Sequence, residues 1–255
     1  MLNAFQNSLV IIACITAALL CLFIFRRCWL PRTATQHNDV IGLQIAFLGT
    51  TYAVIIAFML SDVWNNYRAA AANTENEANA LINIYRLADG LPLPQNGDLQ
   101  SLSRQYAQLM VSEEWPNMAK GKFSQRGFQV MSQMWKVLIG TRPGTKSEEA
   151  IFERLLTDVT NLTEHRRIRH LESRSNLPEI FWLLLIVGGI MTVLYSCLFV
   201  VEDIRLHVVQ VTGITFIVSL VLVTIADVDA PYGGALHISS DSFVTALGTM
   251  GNRSN

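Results

Sequence analysis

Residues 40–61 read VIGLQIAFLGTTYAVIIAFMLS, and residues 62–89 continue with DVWNNYRAAAANTENEANALINIYRLAD. The first stretch carries no charge and is long enough to cross a bilayer as a helix, which takes roughly 17–25 residues. The second stretch is polar, yet neither proline nor glycine occurs in it before Gly90. Because nothing interrupts the helix, the two stretches predict one helix that leaves the membrane and enters a water-exposed domain.

Three further apolar runs lie on either side of this stretch, over residues 8–25, 180–201 and 206–226. Hydrophobic residues make up 51% of the chain and charged residues only 15%, whereas soluble domains carry about 25% charge. The four runs therefore predict an all-α integral membrane protein with four transmembrane helices. The four cysteines form no Cys-x-x-Cys or Cys/His group, so neither a disulfide framework nor a zinc site is predicted.

A polar insertion over residues 62–179 separates the second and third runs. Apolar residues recur in it at helical spacing, as at Leu99, Leu102 and Tyr106, and no segment alternates β-branched residues. Thr145-Lys-Ser-Glu148 matches the capping box that opens a helix. We therefore predict a helical bundle here. The predicted division is transmembrane segments over 1–61 and 180–226, the insertion over 62–179 and a polar C-terminal tail over 227–255.

Four spans place the insertion and both termini on one side of the membrane and the two short loops, 26–39 and 202–205, on the other. Arg26, Arg27 and Arg32 lie in the first short loop, whereas residues 1–7 contain no Lys or Arg. Lys and Arg in short loops favour the cytoplasmic side. We therefore expect an extracytoplasmic insertion. Arginines near both ends of the insertion oppose this assignment, but long segments count less in the rule.

Charged residues border the spans on the side of the insertion: Asp62, Arg68, Arg174, Glu179, Asp227 and Asp229. One interpretation is a charged vestibule at the mouth of an ion pathway. The other is that the acids pair with the arginines and set the depth of the spans in the membrane.

Small and polar residues also recur every three or four positions along the second helix: Asp62, Asn66, Ala69, Asn73, Asn76 and Ala80. Such a face suits a water-filled path in an oligomer, and it equally suits close helix packing with Asn fixing the register. Both interpretations stay open. The candidate pore or vestibule residues are Asp62, Asn66, Arg68, Asn73, Asn76 and Glu179.

Two smaller groups are candidate ligand sites. Asp227-Val-Asp229 followed by Gly233 is similar to the start of an EF-hand, but the twelfth position is Ile238, where calcium binding requires Glu. A looser divalent-cation site at the two aspartates stays open, beside a plain turn that ends the helix. A basic group could contact lipid phosphate or another anion, or could complement the helix dipole: Arg166, Arg167, Arg169 and Arg174.

Several classes of activity lack their sequence signatures. The chain has no GxSxG, HExxH or P-loop pattern, and its five histidines are scattered. The net charge of −1 gives no basic surface for nucleic acid. We therefore expect no enzymatic activity, no nucleic-acid partner and no cofactor other than the cation considered above.

Short segments distributed along the chain together carry a family resemblance: His37-Asn-Asp-Val-Ile-Gly42, Tyr52-Ala-Val-Ile-Ile-Ala-Phe58, Glu77-Ala-Asn-Ala-Leu81, Tyr85-Arg-Leu-Ala-Asp-Gly-Leu-Pro92, Glu114-Trp-Pro-Asn-Met-Ala119, Arg166-Arg-Ile-Arg169, Leu177-Pro178 and Asp229-Ala-Pro-Tyr-Gly233. With them the chain resembles the uncharacterised bacterial membrane proteins that have a bestrophin-like domain. The resemblance covers almost the whole chain. It implies four spans with a helical insertion, in a bacterial plasma (inner) membrane.

The family label also implies a remote similarity to bestrophins, which are pentameric anion channels gated by calcium. In bestrophins a dense acidic run follows the Pro-aromatic-Gly segment, whereas Gly234-Ala-Leu-His-Ile238 follows it here and the acids precede the proline. Calcium gating is therefore not expected. Bestrophins also hold the domain between their second and third spans in the cytosol, which is opposite to our assignment from the charges of the short loops.

These observations leave two hypotheses for function. The first is a homo-oligomeric, channel-like assembly that conducts or senses ions, with the second helices around its axis. The second is a non-conducting, membrane-anchored sensor or scaffold whose helical domain binds a partner, a lipid or an envelope component.

Overall fold

The computed structural model describes residues 4–28, 38–119, 121–174, 177–199 and 201–251. Regular structure in these ranges is helical throughout, as the sequence predicts. Most of the first short loop, including Arg32, lies outside the described residues. The helices are α1 (Ala4–Cys28), α2 (Asn38–Ala88), α3 (Gln95–Leu109), a π-helical turn (Met110–Glu114), α4 (Trp115–Met118), α5 (Gln125–Gly140), α6 (Lys146–Glu172), α7 (Glu179–Leu198), α8 (Ile204–Val228) and α9 (Asp241–Gly251).

Four of these helices are long and apolar enough to cross a membrane: α1, α2, α7 and α8. The predicted number of spans is thus confirmed. The second helix is 51 residues long and continues without interruption from its apolar half into its polar half, which confirms the prediction made from residues 40–89.

The chain divides into two compact units. The first comprises residues 1–65 and 177–229, and is the membrane unit. Ala18 and Leu22 of α1 pack with Cys197 of α7 and Val211 of α8. At the end of α1, Arg26 donates to His207 Nδ1 at 3.3 Å, while His207 Nε2 lies 3.1 Å from the carbonyl oxygen of Ser196. A guanidinium only donates and a carbonyl only accepts, so these contacts fit an imidazole that accepts at Nδ1 and donates from Nε2.

A close contact between α2 and α7 explains the paired glycines at 188 and 189. The Tyr52 hydroxyl donates to the carbonyl oxygen of Leu185 at 2.7 Å. A Cβ atom built at Gly188 would lie 2.5 Å from the Tyr52 ring, and one at Gly189 would lie 2.9 Å from its hydroxyl oxygen. The absence of side chains at the two glycines therefore leaves the space that Tyr52 occupies.

The second unit comprises residues 66–176 and 230–255, and is the helical unit. Its core is built from fully buried apolar side chains of α2, α3, α5 and α6, among them Leu81, Ile84, Leu99, Met134, Leu138, Leu155 and Leu162. Glu148 N donates to Thr145 Oγ1 at 3.2 Å at the start of α6, which confirms the predicted cap.

Residues after the last span also contribute to the helical unit. Phe243, Ala246 and Met250 of α9 are fully buried in its core. The Trp115 indole donates to the carbonyl oxygen of Ile238 at 2.9 Å. The sequence predicts only a polar tail over 227–255, whereas the structure places residues 230–251 in the same compact unit as the insertion.

Candidate functional site

Two connected ion pairs lie in the core of the helical unit. Arg169 of α6 has no exposed surface, and it donates to Glu77 of α2 from Nε at 2.6 Å and from Nη2 at 3.0 Å. One turn earlier, Arg166 Nη2 donates to Glu114 Oε1 at 2.9 Å. Arg169 Nη1 lies 3.8 Å from the same oxygen. The cluster therefore joins α2, the π-helical turn and α6.

Other polar groups complete this cluster. The Tyr106 hydroxyl donates to Glu77 Oε1 at 2.6 Å and accepts from Arg166 Nη1 at 3.3 Å. His170 Nε2 lies 2.9 Å from Glu114 Oε1, and a carboxylate only accepts, so the imidazole donates. Each buried charge thus has at least one opposite charge and one further hydrogen bond.

Helix geometry places both acids of the cluster in the interior. Glu77 lies on the same face of α2 as Ala70, Leu81 and Ile84, which are all fully buried. The π-helical turn accommodates an additional residue per turn and so changes the direction of the side chains that follow. Met110 and Glu114, at its two ends, are both buried.

The surroundings shift the pKa values of three groups in the cluster: Arg169, Glu114 and Tyr106. For Arg169, burial favours the neutral form, but the charge and hydrogen bonds of Glu77 outweigh burial and raise the pKa of the guanidinium. For Glu114, burial favours the protonated form, yet His170 and the two arginines lower its pKa overall. Burial, reinforced by Glu77, raises the pKa of Tyr106. Near neutral pH these pKa shifts keep Arg169 and Glu114 charged and Tyr106 neutral.

This chemistry is that of a structural connection. The acids and bases of the cluster already bind one another, and both carboxylates, those of Glu77 and Glu114, are fully buried. Buried ion pairs cost desolvation energy, so their existence alone is weak support for stability. They do require one particular register between α2 and α6, because removal of either partner leaves an unpaired buried charge.

The structure divides the candidate pore or vestibule residues by exposure. Asp62, Asn66, Arg68, Asn76 and Glu179 are exposed. The remaining residue of the group, Asn73, is buried.

Asn73 is held inside the helical unit by three hydrogen bonds. Its side-chain amide donates to the carbonyl oxygen of His165 at 2.9 Å and to Glu172 at 3.3 Å. Its Oδ1 lies 2.8 Å from His165 Nδ1. Ala80 is also buried. Four residues of the predicted stripe are therefore exposed, Asp62, Asn66, Ala69 and Asn76, and two are buried, Asn73 and Ala80.

The two aspartates at the end of the last span have separate protein partners. Asn7 Nδ2 donates to Asp227 Oδ2 at 2.6 Å, and the backbone N–H of Leu177 donates to Asp229 Oδ1 at 2.8 Å. Burial, together with the nearby charge of Asp62, raises the pKa of Asp229 despite that bond. Within the described residues no group of three His, Cys, Asp or Glu could hold a metal ion. A cation at these aspartates stays an untested expectation.

The four predicted anion-contact arginines divide into two pairs. Arg166 and Arg169 are buried, and the anions that they contact are the carboxylates of Glu114 and Glu77. Arg167 and Arg174 are exposed. The predicted contact with a lipid phosphate or another external anion is therefore restricted to Arg167 and Arg174.

Sequence reasoning did not identify Glu77, Glu114 or Tyr106 as partners of the arginines. One signal was present, because Glu77 lies among the apolar residues Ala70, Ala78, Leu81 and Ile84 on one face of α2. The sequence gives no comparable signal for the π-helical turn that directs Glu114 into the core. Regular α-helical spacing would place Glu114 on a different face of the helix.

Comparisons with known proteins agree with this architecture. A family model described as "Bestrophin-like domain" matches residues 12–243. A crystal structure of a variant of a bacterial bestrophin homologue from Klebsiella pneumoniae is similar at a TM-score of 0.71 and 10% identity, covering 96% of this chain and 99% of that chain. A second variant of a Klebsiella pneumoniae homologue gives 0.64 and 10%, covering 98% and 99%. A crystal structure of a membrane protein gives 0.62 and 9%, also covering 98% and 99%.

At these identities the structures show a shared fold only. A comparison with curated protein sequences finds no match.

Proposed function

Because the chain belongs to the bestrophin-like family, we propose that it forms a homo-oligomeric ion channel in the bacterial inner membrane. The second helices of all copies together surround the ion pathway. The insertion and both termini are extracytoplasmic, as the arginines of the first short loop favour. The family and the shared fold support a membrane channel, and the exposed face of α2 supports the position of the pathway.

The observation that carries the proposal is the composition of that exposed face. Beyond the apolar half of α2, a narrow strip of exposed positions carries only small or amide side chains: Asn65, Ala69, Ala72, Asn76 and Asn79. Exposed charged residues such as Arg68 and Glu75 lie beside this strip. The opposite side of the same helical half is buried in the bundle core. An ordinary solvent-facing helix surface carries charges. An uncharged, wettable face suits a water-filled path along which small ions meet no strong binding site.

The experiment is ion flux through the full-length protein reconstituted in liposomes, with the oligomer confirmed by cross-linking. We expect flux well above that of empty vesicles. An intact oligomer with no flux over a range of cations and anions would overturn the proposal and favour the non-conducting scaffold.

A variant tests the position of the pathway. Asn76→Glu adds an acid on the exposed face of α2. In a salt gradient we expect the reversal potential to shift towards the equilibrium potential of the cation, because an acid in the pathway favours cations over anions. Gln105→Glu is the matched control, because Gln105 is an exposed residue of α3 with the same change of charge. Equal reversal potentials for the Asn76 variant and the wild type would remove this face from the pathway.

A further inference from the structure

We propose that a pocket between α5 and α6 binds a small organic anion with an apolar body and one anionic group. The pocket has a volume of about 440 Å³, which is in the range of small-molecule sites. It lies entirely within the helical unit. The proposal does not depend on ion conduction.

The wall of the pocket is mostly apolar, and its basic side chains belong to α6 or to the residues just after it. Phe128 and Met131 of α5 and Phe123 before it line one side. Phe128 is 58% exposed, which is unusual for a large aromatic side chain. These side chains offer contact area for a hydrocarbon or aromatic body.

One aromatic ring contacts two of the basic side chains of the pocket. The ring of Phe123 stacks on the imidazole of His170 with the centroids 4.2 Å apart. The Arg174 guanidinium lies over the same Phe123 ring, 4.8 Å from its centroid. Cation–π contact orients a guanidinium without neutralising it. Arg174 is therefore positioned for a ligand while its charge remains available.

The charge balance of the pocket is positive. Its lining residues include Arg166, Arg167, His170 and Arg174, and none of the lining residues is acidic. Arg166 and His170 share the carboxylate of Glu114. Among the described residues, neither Arg167 nor Arg174 forms an ion pair.

Two other exposed arginines of the helical unit differ in this respect. Arg126 pairs with Glu113, and Arg154 pairs with Asp158. The first turn of α5 begins at Ser124 and Gln125, which also line the pocket, and its helix dipole adds partial positive charge. Two unneutralised arginines beside an apolar wall match a ligand that carries both a negative charge and an apolar body.

The test is ligand-observed ¹⁹F NMR with 4-fluorobenzoate and the full-length protein in phosphatidylcholine nanodiscs, with empty nanodiscs subtracted. The neutral comparison probe is 4-fluorobenzamide. The test variants are Arg167→Gln and Arg174→Gln, which remove one exposed charge each. The matched control is Arg142→Gln, an exposed arginine of the same unit outside the pocket. Phe128→Ala removes apolar wall from an exposed position.

We expect saturable binding of the benzoate, and none of the benzamide at the same concentrations. Arg167→Gln and Arg174→Gln each weaken binding about tenfold, because each removes a charged hydrogen-bond donor. Phe128→Ala also weakens it, and Arg142→Gln leaves it unchanged. No saturable binding, equal binding of the two probes, or an equal effect of Arg142→Gln would each overturn the proposal.

Discussion

One pair of buried side chains fixes how α2 and α6 pack against each other in the helical unit. Glu77 and Arg169 are both fully buried, and two hydrogen bonds connect them. Burial of either charge alone is strongly unfavourable, whereas an apolar pair of similar volume is often tolerated. The pair therefore contributes specificity of register, and the loss of one member is more damaging than the loss of both.

Glu77→Gln keeps the volume of the side chain and removes its charge. We expect the free energy of unfolding to fall by about 3–5 kcal/mol, because Arg169 loses its main counter-charge. Denaturant unfolding of the full-length protein in detergent measures this, and hydrogen exchange of α2 and α6 locates it. Glu75→Gln is the control, since Glu75 is exposed on the same helix.

A double variant separates the pair from its surroundings. Glu77→Met with Arg169→Met should cost less than the sum of the two single variants, because no unpaired charge is left. Additive costs would show that the two side chains act independently.

Glu114 makes the helical unit sensitive to acid. Although burial acts in the opposite direction, His170 and the two arginines lower its pKa from 4.5 in the folded state. A carboxylate with a lowered pKa stabilises the fold fully above its unfolded pKa, and that contribution is lost as the pH falls through the folded value. We expect the stability difference between the wild type and Glu114→Gln to shrink from about pH 6 to about pH 3.5.

Denaturant titrations of both proteins at the two pH values measure this difference. Glu164→Gln, at an exposed position of α6, should show no comparable change. A constant difference for the Glu114 variant would show that its carboxylate does not titrate in that range.

Between helices, the contact of α2 with α7 depends on the absence of side chains. Tyr52 is 5% exposed, and its ring lies where the Cβ of a larger residue at position 188 would be. The hydroxyl bond to Leu185 holds the ring in that position. A larger residue would therefore have to push the two helices apart.

Gly188→Ala should destabilise the membrane unit by about 1–3 kcal/mol, as is typical of overpacking. Gly213→Ala is the matched control on α8, because nothing lies within 4 Å of a Cβ built there. It should be neutral or slightly stabilising, since alanine is a better helix former than glycine. Unfolding of the full-length protein in detergent–SDS mixtures measures both, and equal stability of the two variants would contradict the explanation.

Over the whole molecule, the spans were predictable and the long-range pairing was not. Residues 40–61 and the other three runs are recognisable because lipid requires long, uncharged helices. The capping box at Thr145 is likewise a local signal. The pairing of Arg169 with Glu77 connects residues 92 positions apart, and no local pattern specifies it. Burial of Phe243 in the core similarly depends on where a distant segment returns.

The sidedness of the whole molecule has a direct test. The insertion contains no cysteine, and Ser101 is exposed on α3. Ser101→Cys should react with a membrane-impermeant thiol reagent in intact spheroplasts if the insertion is extracytoplasmic. The wild type gives the background from Cys14, Cys21, Cys28 and Cys197. Reaction only after lysis would place the insertion in the cytoplasm.

The burial of α9 has a consequence for biosynthesis. A ribosome makes residues 66–176 first, then α7 and α8, and only afterwards Phe243, Ala246 and Met250. Domains usually fold in the order of their synthesis. This unit instead lacks part of its interior until the last two spans have been made. During that interval its unfilled core is exposed, so chaperone binding and proteolysis should be concentrated there rather than in the spans.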